Sequence, residues 1–303
     1  MKKLTGITVA MTTPFFEDGG VDFEAVAALT NMLIDKGVDC LYPGGTTGEM
    51  LRMSLEERKK QAEVVVKTAA GRVPVFIHCG SMCEDDVIAL AQYSESIGAD
   101  GIGVVTPQFF GLNQREMVEF YVRVAGSVSP DFPVYLYNIP QCAANDITIP
   151  ALKEIAERCP NVVGIKYSFS DINRTMDYTR IRDFDFSVMH GCDRLYIAFK
   201  AMGCDGTVSG CAGVFPEPFV AVHQSILKGD WEAAKKHQRE AAEVVDILRA
   251  GANMAYFKAA LSIRGMNGGH MRKPQLDLPQ EEIDALRVQL EAYCQKTGYS
   301  LKV

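Results

Sequence analysis

The feature that most constrains the fold of this chain is an eightfold alternation of short apolar runs with longer amphipathic stretches. The apolar runs are rich in β-branched residues and predict strands at residues 7–11, 39–42, 73–77, 101–105, 133–137, 162–166, 186–189 and 206–209. Helical periodicity separates them, at residues 22–36, 54–70, 84–97, 114–127, 149–158, 171–181 and 193–202. Continuous apolar strands that alternate with helices indicate a parallel sheet covered by helices. Eight such units predict closure into a (β/α)₈ barrel.

The pattern changes after residue 209, because the later periodicity is helical and no further strand is predicted. Helices are expected at residues 216–228, 230–248, 255–264 and 280–296, with a glycine-containing loop at 265–274. We therefore expect a barrel catalytic domain at residues 1–225 and a C-terminal helical extension at residues 226–303. A chain of 303 residues, of which 48% are hydrophobic, can bury a core of this size.

Composition argues against several classes of partner. The net charge is −7 and no basic run occurs, which disfavours binding to nucleic acid or to an anionic membrane surface. No apolar run approaches the roughly 20 residues of a membrane-spanning helix. The nine cysteines are scattered and odd in number, as expected of reduced thiols in a cytoplasmic protein. We expect a cytoplasmic protein that acts on a small molecule.

Polar residues follow the predicted strands at the end where barrel enzymes carry their functional groups. Lys166 ends the sixth of these apolar strands, so its stem is buried while its amine faces the mouth of the barrel. Removal from water disfavours the ammonium form and favours a nucleophilic amine. Such an amine attacks ketones to form an imine, an electron sink for carbon–carbon cleavage. The alternative is a lysine that extends its charged end to solvent.

Two further groups belong to the same mouth. The second strand is followed by a turn in which three glycines flank Thr46 and Thr47, and backbone N–H groups with hydroxyls in such a turn suit a carboxylate. A plain tight turn is the alternative. Tyr137 lies one strand away from Lys166, where a phenol can shuttle protons for an amine or can simply cap the core.

Three motifs together resemble the dihydrodipicolinate synthase/N-acetylneuraminate lyase family of class I aldolases. The resemblance covers essentially the whole chain and rests on Gly45-Thr46-Thr47-Gly48-Glu49, Tyr137-Asn138-Ile139-Pro140 and Gly164-Ile165-Lys166. It implies a metal-independent, pyruvate-dependent aldolase or lyase without a cofactor. It also implies a homotetramer built from pairs of tight dimers.

The resemblance assigns roles by position. Lys166 matches the Schiff-base lysine, Tyr137 the proton shuttle, and Thr46 and Thr47 the pair that holds the pyruvate carboxylate. Val208 matches the residue of the eighth strand whose carbonyl lines the pyruvate pocket. Across all its motif positions, the resemblance implies that the substrate-binding residues are Gly45, Thr46, Thr47, Gln141, Ser168, Gly191, Asp193, Arg194 and Val208.

Departures from the family pattern bear on the substrate. The synthases place an arginine shortly after the tyrosine motif, where this chain has Gln141. They also supply a relay tyrosine from the neighbouring subunit, where this chain has Phe109 and Phe110. Asp193 keeps a carboxylate that binds sugar hydroxyls in the sialate lyases, whereas Arg194 replaces their glutamate.

These departures favour a sugar-derived 2-oxo acid, as in an N-acetylneuraminate lyase or a 2-keto-3-deoxy sugar acid aldolase. The alternatives are 4-hydroxy-tetrahydrodipicolinate synthase, or a dehydratase or hydratase-aldolase that uses the same imine. The non-enzymatic alternative is a catalytically inactive barrel that binds sugar acids. Retention of Lys166, Tyr137, Thr46 and Thr47 together argues against such a binder.

Overall fold

Eight parallel strands form one sheet in the computed structural model, which describes residues 1–251 and 253–303. Their spatial order is β2-β1-β8-β7-β6-β5-β4-β3. A parallel bridge between Leu41 and Val75 joins the two remaining edges, so the sheet closes on itself and the expected (β/α)₈ barrel is confirmed. The strands are β1 (Gly6–Ala10), β2 (Cys40–Tyr42), β3 (Phe76–His78), β4 (Gly101–Val105), β5 (Val134–Asn138), β6 (Val162–Tyr167), β7 (Ser187–His190) and β8 (Gly206–Ser209).

Helices follow the strands and cover the outside of the barrel. They are α1 (Phe23–Asp35), α2 (Leu55–Ala69), α3 (Glu84–Ser96), α4 (Gln114–Gly126), α5 (Pro140–Ala143), α6 (Ile149–Arg158), α7 (Ile172–Thr179), α8 (Tyr196–Ala201), α9 (Pro216–Leu227), α10 (Trp231–Ile247), α11 (Met254–Ile263) and α12 (Gln280–Thr297). Ser54 and Asn113 begin α2 and α4 with capping boxes, which satisfy otherwise unpaired N–H groups. Within the described ranges, no helix is long and apolar enough to cross a membrane.

Apart from shifts of one or two residues at the ends of elements, the structure differs from the sequence-based expectation in three main places. The third strand begins at Phe76 rather than at residue 73, because Pro74 has no N–H to donate to a sheet. The short helix α5 was not predicted and begins at Pro140, a favourable first position. The helix expected at residues 193–202 is divided into a single 3₁₀ turn, Asp193–Leu195, and α8.

A contact from the C-terminal extension explains that division. Gln238 of α10 donates to the backbone oxygen of Asp193 at 3.1 Å and accepts from the backbone nitrogen of Ile197 at 2.9 Å. These side-chain bonds satisfy backbone groups that a regular helix would pair internally. Gln238 therefore positions the loop after β7 at the mouth of the barrel.

The interior of the barrel is filled by side chains and is not a channel. Inward-facing residues of the strands form a closed apolar layer that includes Tyr42, Phe76, Tyr135 and Met189, all fully buried. A smaller cluster around Tyr137 and Ile139 lies nearer the carboxyl ends of the strands. Space for a ligand is thereby confined to the mouth of the barrel.

Candidate active site

A cavity of about 670 Å³ opens at the carboxyl ends of the strands. It is bounded by loops after β2, β5, β6, β7 and β8 and by part of the C-terminal extension. Ten of the residues predicted from the sequence line it, namely Thr46, Thr47, Tyr137, Gln141, Lys166, Ser168, Gly191, Asp193, Arg194 and Val208. The remaining predicted residue, Gly45, lies behind the turn against Tyr42 and His78.

Lys166 and Tyr137 lie side by side because β5 and β6 are paired in register at these two residues. The Lys166 side chain is buried, and its Nζ lies 3.9 Å from the centroid of the Tyr137 ring and 5.2 Å from that of Tyr42. Among the described residues, none forms a hydrogen bond or an ion pair with this amine. The amine is therefore held in place by its buried stem and two aromatic rings, and it remains available to a ligand.

The turn after β2, residues 44–49, presents two hydroxyls to the cavity; we call it the threonine turn. Gly44 adopts a φ of +72°, which favours glycine, and a side chain at Gly48 would lie 3.1 Å from a backbone oxygen. Thr13 Oγ1 donates to the Gly48 oxygen at 2.7 Å and fixes the turn from the side of β1. With its backbone held in this way, the turn directs Thr46 and Thr47 into the cavity.

Two buried histidines lie close to the site but contribute no positive charge to it. Burial holds the pKa of His78 well below its ordinary range, and its Nδ1 lies 3.1 Å from the Gly44 oxygen. Burial also lowers the pKa of His190 to about 3, and its ring stacks on Phe199. Both imidazoles are therefore neutral near neutral pH.

The loops after β5, β6 and β7 are packed tightly against one another. Gln141 Nε2 donates to the backbone oxygen of Ser168 at 2.7 Å, so the amide is engaged in holding the loop after β6. A side chain at Gly191 would lie 2.0 Å from Ser168 Oγ, and only glycine fits there. Ser168 Oγ therefore lies against Gly191, and both residues line the cavity.

Asp193 and Arg194 are neighbours in sequence but differ in their surroundings. Asp193 Oδ1 is buried, and burial raises the pKa of this carboxyl to about 6, although the neighbouring Ser209 and Cys211 oppose the shift. Arg194 is half exposed and forms an ion pair with Asp246 of α10. The Asp193 carboxyl thus lines the cavity beside a guanidinium that already has a carboxylate partner.

Residues of the C-terminal extension form a wall that the sequence analysis did not assign to the site. Val245, Met254 and Phe257 line the cavity together with Ile139 and Leu195. In the sequence these residues have the periodicity of ordinary core positions, and no local signal links them to the barrel mouth. The cavity is therefore polar near Lys166 and apolar where the extension covers it.

Phe109 and Phe110 lie on the loop after β4, outside the set of residues that line the cavity. Their side chains are 76% and 73% exposed, and their ring centroids are 5.1 Å apart. Phe109 also adopts a positive φ of 73°. The resemblance implies a relay phenol at these two positions. They hold an exposed aromatic pair instead.

Comparisons with known proteins agree with this geometry. The family described as the dihydrodipicolinate synthetase family matches residues 3–293. The N-acetylneuraminate lyase of Rhizobium meliloti is 32% identical over 287 residues, which cover 94% of each chain. The crystal structure of dihydrodipicolinate synthase from Aquifex aeolicus superimposes with a TM-score of 0.90 at 31% identity, covering 96% of this chain and 98% of that one. The wild-type sialic acid aldolase of Ruminococcus gnavus gives a TM-score of 0.92 at 26% identity, covering 98% and 99%.

Synthases and lyases are about equally similar to this chain, so the comparisons support the reaction class without selecting an acceptor. They confirm the expectation of an enzyme of the lyase and aldolase class, and the pyruvate Schiff base is the chemistry that this class implies. The fold and the family match extend over nearly the entire chain. The chain belongs to the dihydrodipicolinate synthetase family.

Proposed function

We propose that this enzyme binds pyruvate or another 2-oxo acid as a Schiff base on Lys166 and makes or cleaves a carbon–carbon bond of a sugar-derived 2-oxo acid. One observation carries the proposal. The buried Lys166 amine lies over Tyr137, without an ionic partner in the described residues, in the same cavity as Thr46 and Thr47. An amine, a phenol and an anion-binding turn are the groups that imine chemistry on a 2-oxo acid requires.

In the cleavage direction, the Lys166 amine adds to the ketone carbon, and the resulting carbinolamine loses water to give an iminium. The bond between C3 and C4 then breaks, and its electron pair moves into the iminium to form an enamine. The C4 hydroxyl loses its proton as the aldehyde forms. Tyr137, beside the amine, carries protons between these oxygen and nitrogen atoms. The enamine is protonated at C3, and water releases pyruvate from Lys166.

The threonine turn holds the carboxylate of the 2-oxo acid in this proposal. Thr46 and Thr47 line the cavity on one side, and Val208 lines it from β8. Fixing the carboxylate places the ketone carbon opposite the amine, which converts imine formation into an effectively unimolecular step.

The substrate class follows from the groups around the rest of the polar wall. Asp193 lines the cavity with a carboxylate and Ser168 with a hydroxyl, both suited to the hydroxyls of a sugar acid. The semialdehyde of a synthase needs a cation for its carboxylate, whereas Gln141 is neutral and Arg194 is paired with Asp246. Loss of a charge-assisted bond of roughly 1.5–3 kcal/mol lowers preference by about ten- to a hundredfold.

Trapping with borohydride tests the Schiff base directly. We expect pyruvate plus borohydride to add one reduced pyruvate adduct to the wild-type chain and none to Lys166→Ala, as measured by intact mass. Peptide mapping locates the adduct. An unmodified wild-type chain, or the same mass gain in Lys166→Ala, would contradict the proposal.

Steady-state kinetics test the substrate class. We expect a panel of 2-keto-3-deoxy sugar acids to be cleaved with higher kcat/KM than aspartate semialdehyde is condensed with pyruvate. Product analysis separates the alternatives, because cleavage releases pyruvate and a dehydratase retains the carbon chain. Preference for the semialdehyde would mean that Gln141 does not decide specificity and that Arg194 supplies the carboxylate contact.

A further inference from the structure

The threonine turn ends in a carboxylate that is buried inside the protein. Glu49 is only 5% exposed and adopts a φ of 59°, a conformation that costs energy for a residue with a side chain. Its Oε1 lies 2.6 Å from Lys258 Nζ, and its Oε2 accepts from Arg52 at 2.7 Å. Two cations therefore hold the side chain of this residue.

Lys258 belongs to α11 in the C-terminal extension, far from the turn in sequence. Its side chain is buried, and its Nζ also donates to the backbone oxygen of His270 at 2.6 Å and lies 4.3 Å from the Phe15 ring centroid. Burial lowers the pKa of Lys258, and the neighbouring Glu49 opposes this shift. With these contacts, the position of the ammonium relative to the turn is closely determined.

The same helix also contacts the other end of the site. A side chain at Gly210, just after β8, would lie 3.1 Å from Phe257 and 3.0 Å from Thr47 Oγ1. Phe257 and Lys258 are consecutive in α11, so one helix reaches both Gly210, which lies next to Thr47, and the carboxylate that ends the turn.

We propose that Lys258 is a positioning residue for the 2-oxo acid: by pairing with Glu49, it sets the backbone of the threonine turn and directs Thr46 and Thr47 at the substrate carboxylate. The inference rests on the proposed function, since it takes the turn to be the carboxylate site. Thr13 fixes the turn at Gly48 from the side of β1. Lys258 and Arg52 fix the opposite side, at Glu49.

A merely structural role is the alternative. A buried ion pair is weak evidence for stability, because desolvation of the two charges offsets their attraction. The geometry required of a hydroxyl pair that binds a carboxylate is stricter than that required for folding. A neutral replacement of both residues should therefore restore stability under either role, but it should restore pyruvate binding only if the pair is merely structural.

The test compares Lys258→Met, Glu49→Gln and the double variant Lys258→Met/Glu49→Gln with the wild type. Borohydride trapping at graded pyruvate concentrations gives the concentration for half-maximal adduct on Lys166. We expect this concentration to rise about tenfold in all three variants, while the adduct at saturation still reaches one per chain. The double variant should melt at a higher temperature than Lys258→Met, because no buried charge is left unpaired.

Arg264→Met is the matched control. Arg264 is a fully buried cation of the same extension, paired with Glu217 at 2.6 Å, away from the threonine turn. This variant should lose thermal stability and keep the wild-type pyruvate dependence. A double variant that traps pyruvate with half-saturation within twofold of wild type would overturn the proposal. If Lys258→Met does not fold, Glu49→Gln decides by the same criterion. Absence of any adduct in the wild type would instead contradict the proposed function.

Discussion

Asp193 is the residue whose surroundings most affect the expected behaviour of the site. Its Oδ1 is buried, and this burial raises the pKa of the carboxyl to about 6. An ionised carboxylate accepts hydrogen bonds from substrate hydroxyls, whereas the protonated acid loses part of this capacity. The charge state that favours a sugar acid is thus populated only above about pH 6.

We expect kcat/KM for a 2-keto-3-deoxy sugar acid to fall as the pH drops through about 6, and Asp193→Asn to lose this dependence. The measurement is a pH–rate profile of both proteins. Pyruvate trapping on Lys166 serves as the control, since it should persist in Asp193→Asn. An unchanged acidic limb in the variant would show that another group titrates.

The same shift predicts an effect on stability. The folded-state pKa lies above the ordinary value of an aspartate, so the folded protein binds the proton more tightly and this contribution to stability is lost as pH rises through about 6. At pH 7.5, Asp193→Asn should therefore be more stable than the wild type, by about 1–3 kcal/mol. At pH 4 the difference should shrink. Urea unfolding at the two pH values measures it, and a variant that is less stable at both would contradict the expectation.

At the scale of elements, α10 determines whether the Arg194 guanidinium is available to bind a substrate. Asp246 of this helix pairs with Arg194 at the rim of the cavity, and both side chains are half exposed. We expect Asp246→Asn to increase kcat/KM for aspartate semialdehyde roughly two- to fivefold, because a half-exposed ion pair competes only weakly.

The same helix offers a matched control. Glu243 of α10 pairs with Lys296 of α12 at 2.8 Å, so Glu243→Gln should leave semialdehyde kinetics unchanged. Adding Arg194→Met to Asp246→Asn should abolish the gain. Equal kinetics for Asp246→Asn and the wild type would mean that Arg194 does not contact the acceptor.

Elements and site residues differ in how far the sequence alone predicts them. Lys166 and Tyr137 could be placed because a residue at the end of an apolar strand in a barrel must lie at the mouth, and strand order follows from the alternation. The pairing of Lys258 with Glu49 could not be predicted from the sequence, because it joins segments that are distant in the chain and depends on how α11 packs. Helical periodicity identifies which face of α11 is buried, but not against which partner.

The division of the segment after β7 shows the same limit. Residues 193–202 have a helical pattern, yet Gln238 from α10 bonds the backbone there and leaves a single 3₁₀ turn before α8. Gly45 is a related case, since its motif belongs to the site while its position is behind the turn. Local sequence predicts the type of element, whereas tertiary contacts decide its ends and the direction of its side chains.

For the whole molecule, the exposed pair Phe109 and Phe110 has a consequence for assembly. Adjacent exposed aromatic side chains favour an association site, because their burial removes apolar surface from water. We propose a homotetramer, and we expect sedimentation velocity to give four chain masses. Phe109→Ser/Phe110→Ser should shift the distribution to smaller species.

Phe184 provides the control for that experiment. It is 72% exposed and lies just before β7, at the opposite end of the barrel from the mouth. Phe184→Ser should sediment like the wild type. A wild-type protein that sediments as a single chain at micromolar concentration would contradict the proposed assembly.

The pairing of β1 with β8 constrains the order in which the barrel can form during translation. Gly6 pairs with Gly206, so on a ribosome the first strand waits, with one edge unpaired, until the last strand has emerged. The partner of Glu49 arrives later still, with α11. A nascent chain interrupted between these two events would contain Lys166, Tyr137, Thr46 and Thr47 and yet lack Lys258, the proposed positioning residue. If Lys258 positions the threonine turn, full affinity for pyruvate is reached only once α11 has been synthesised and has packed against that turn.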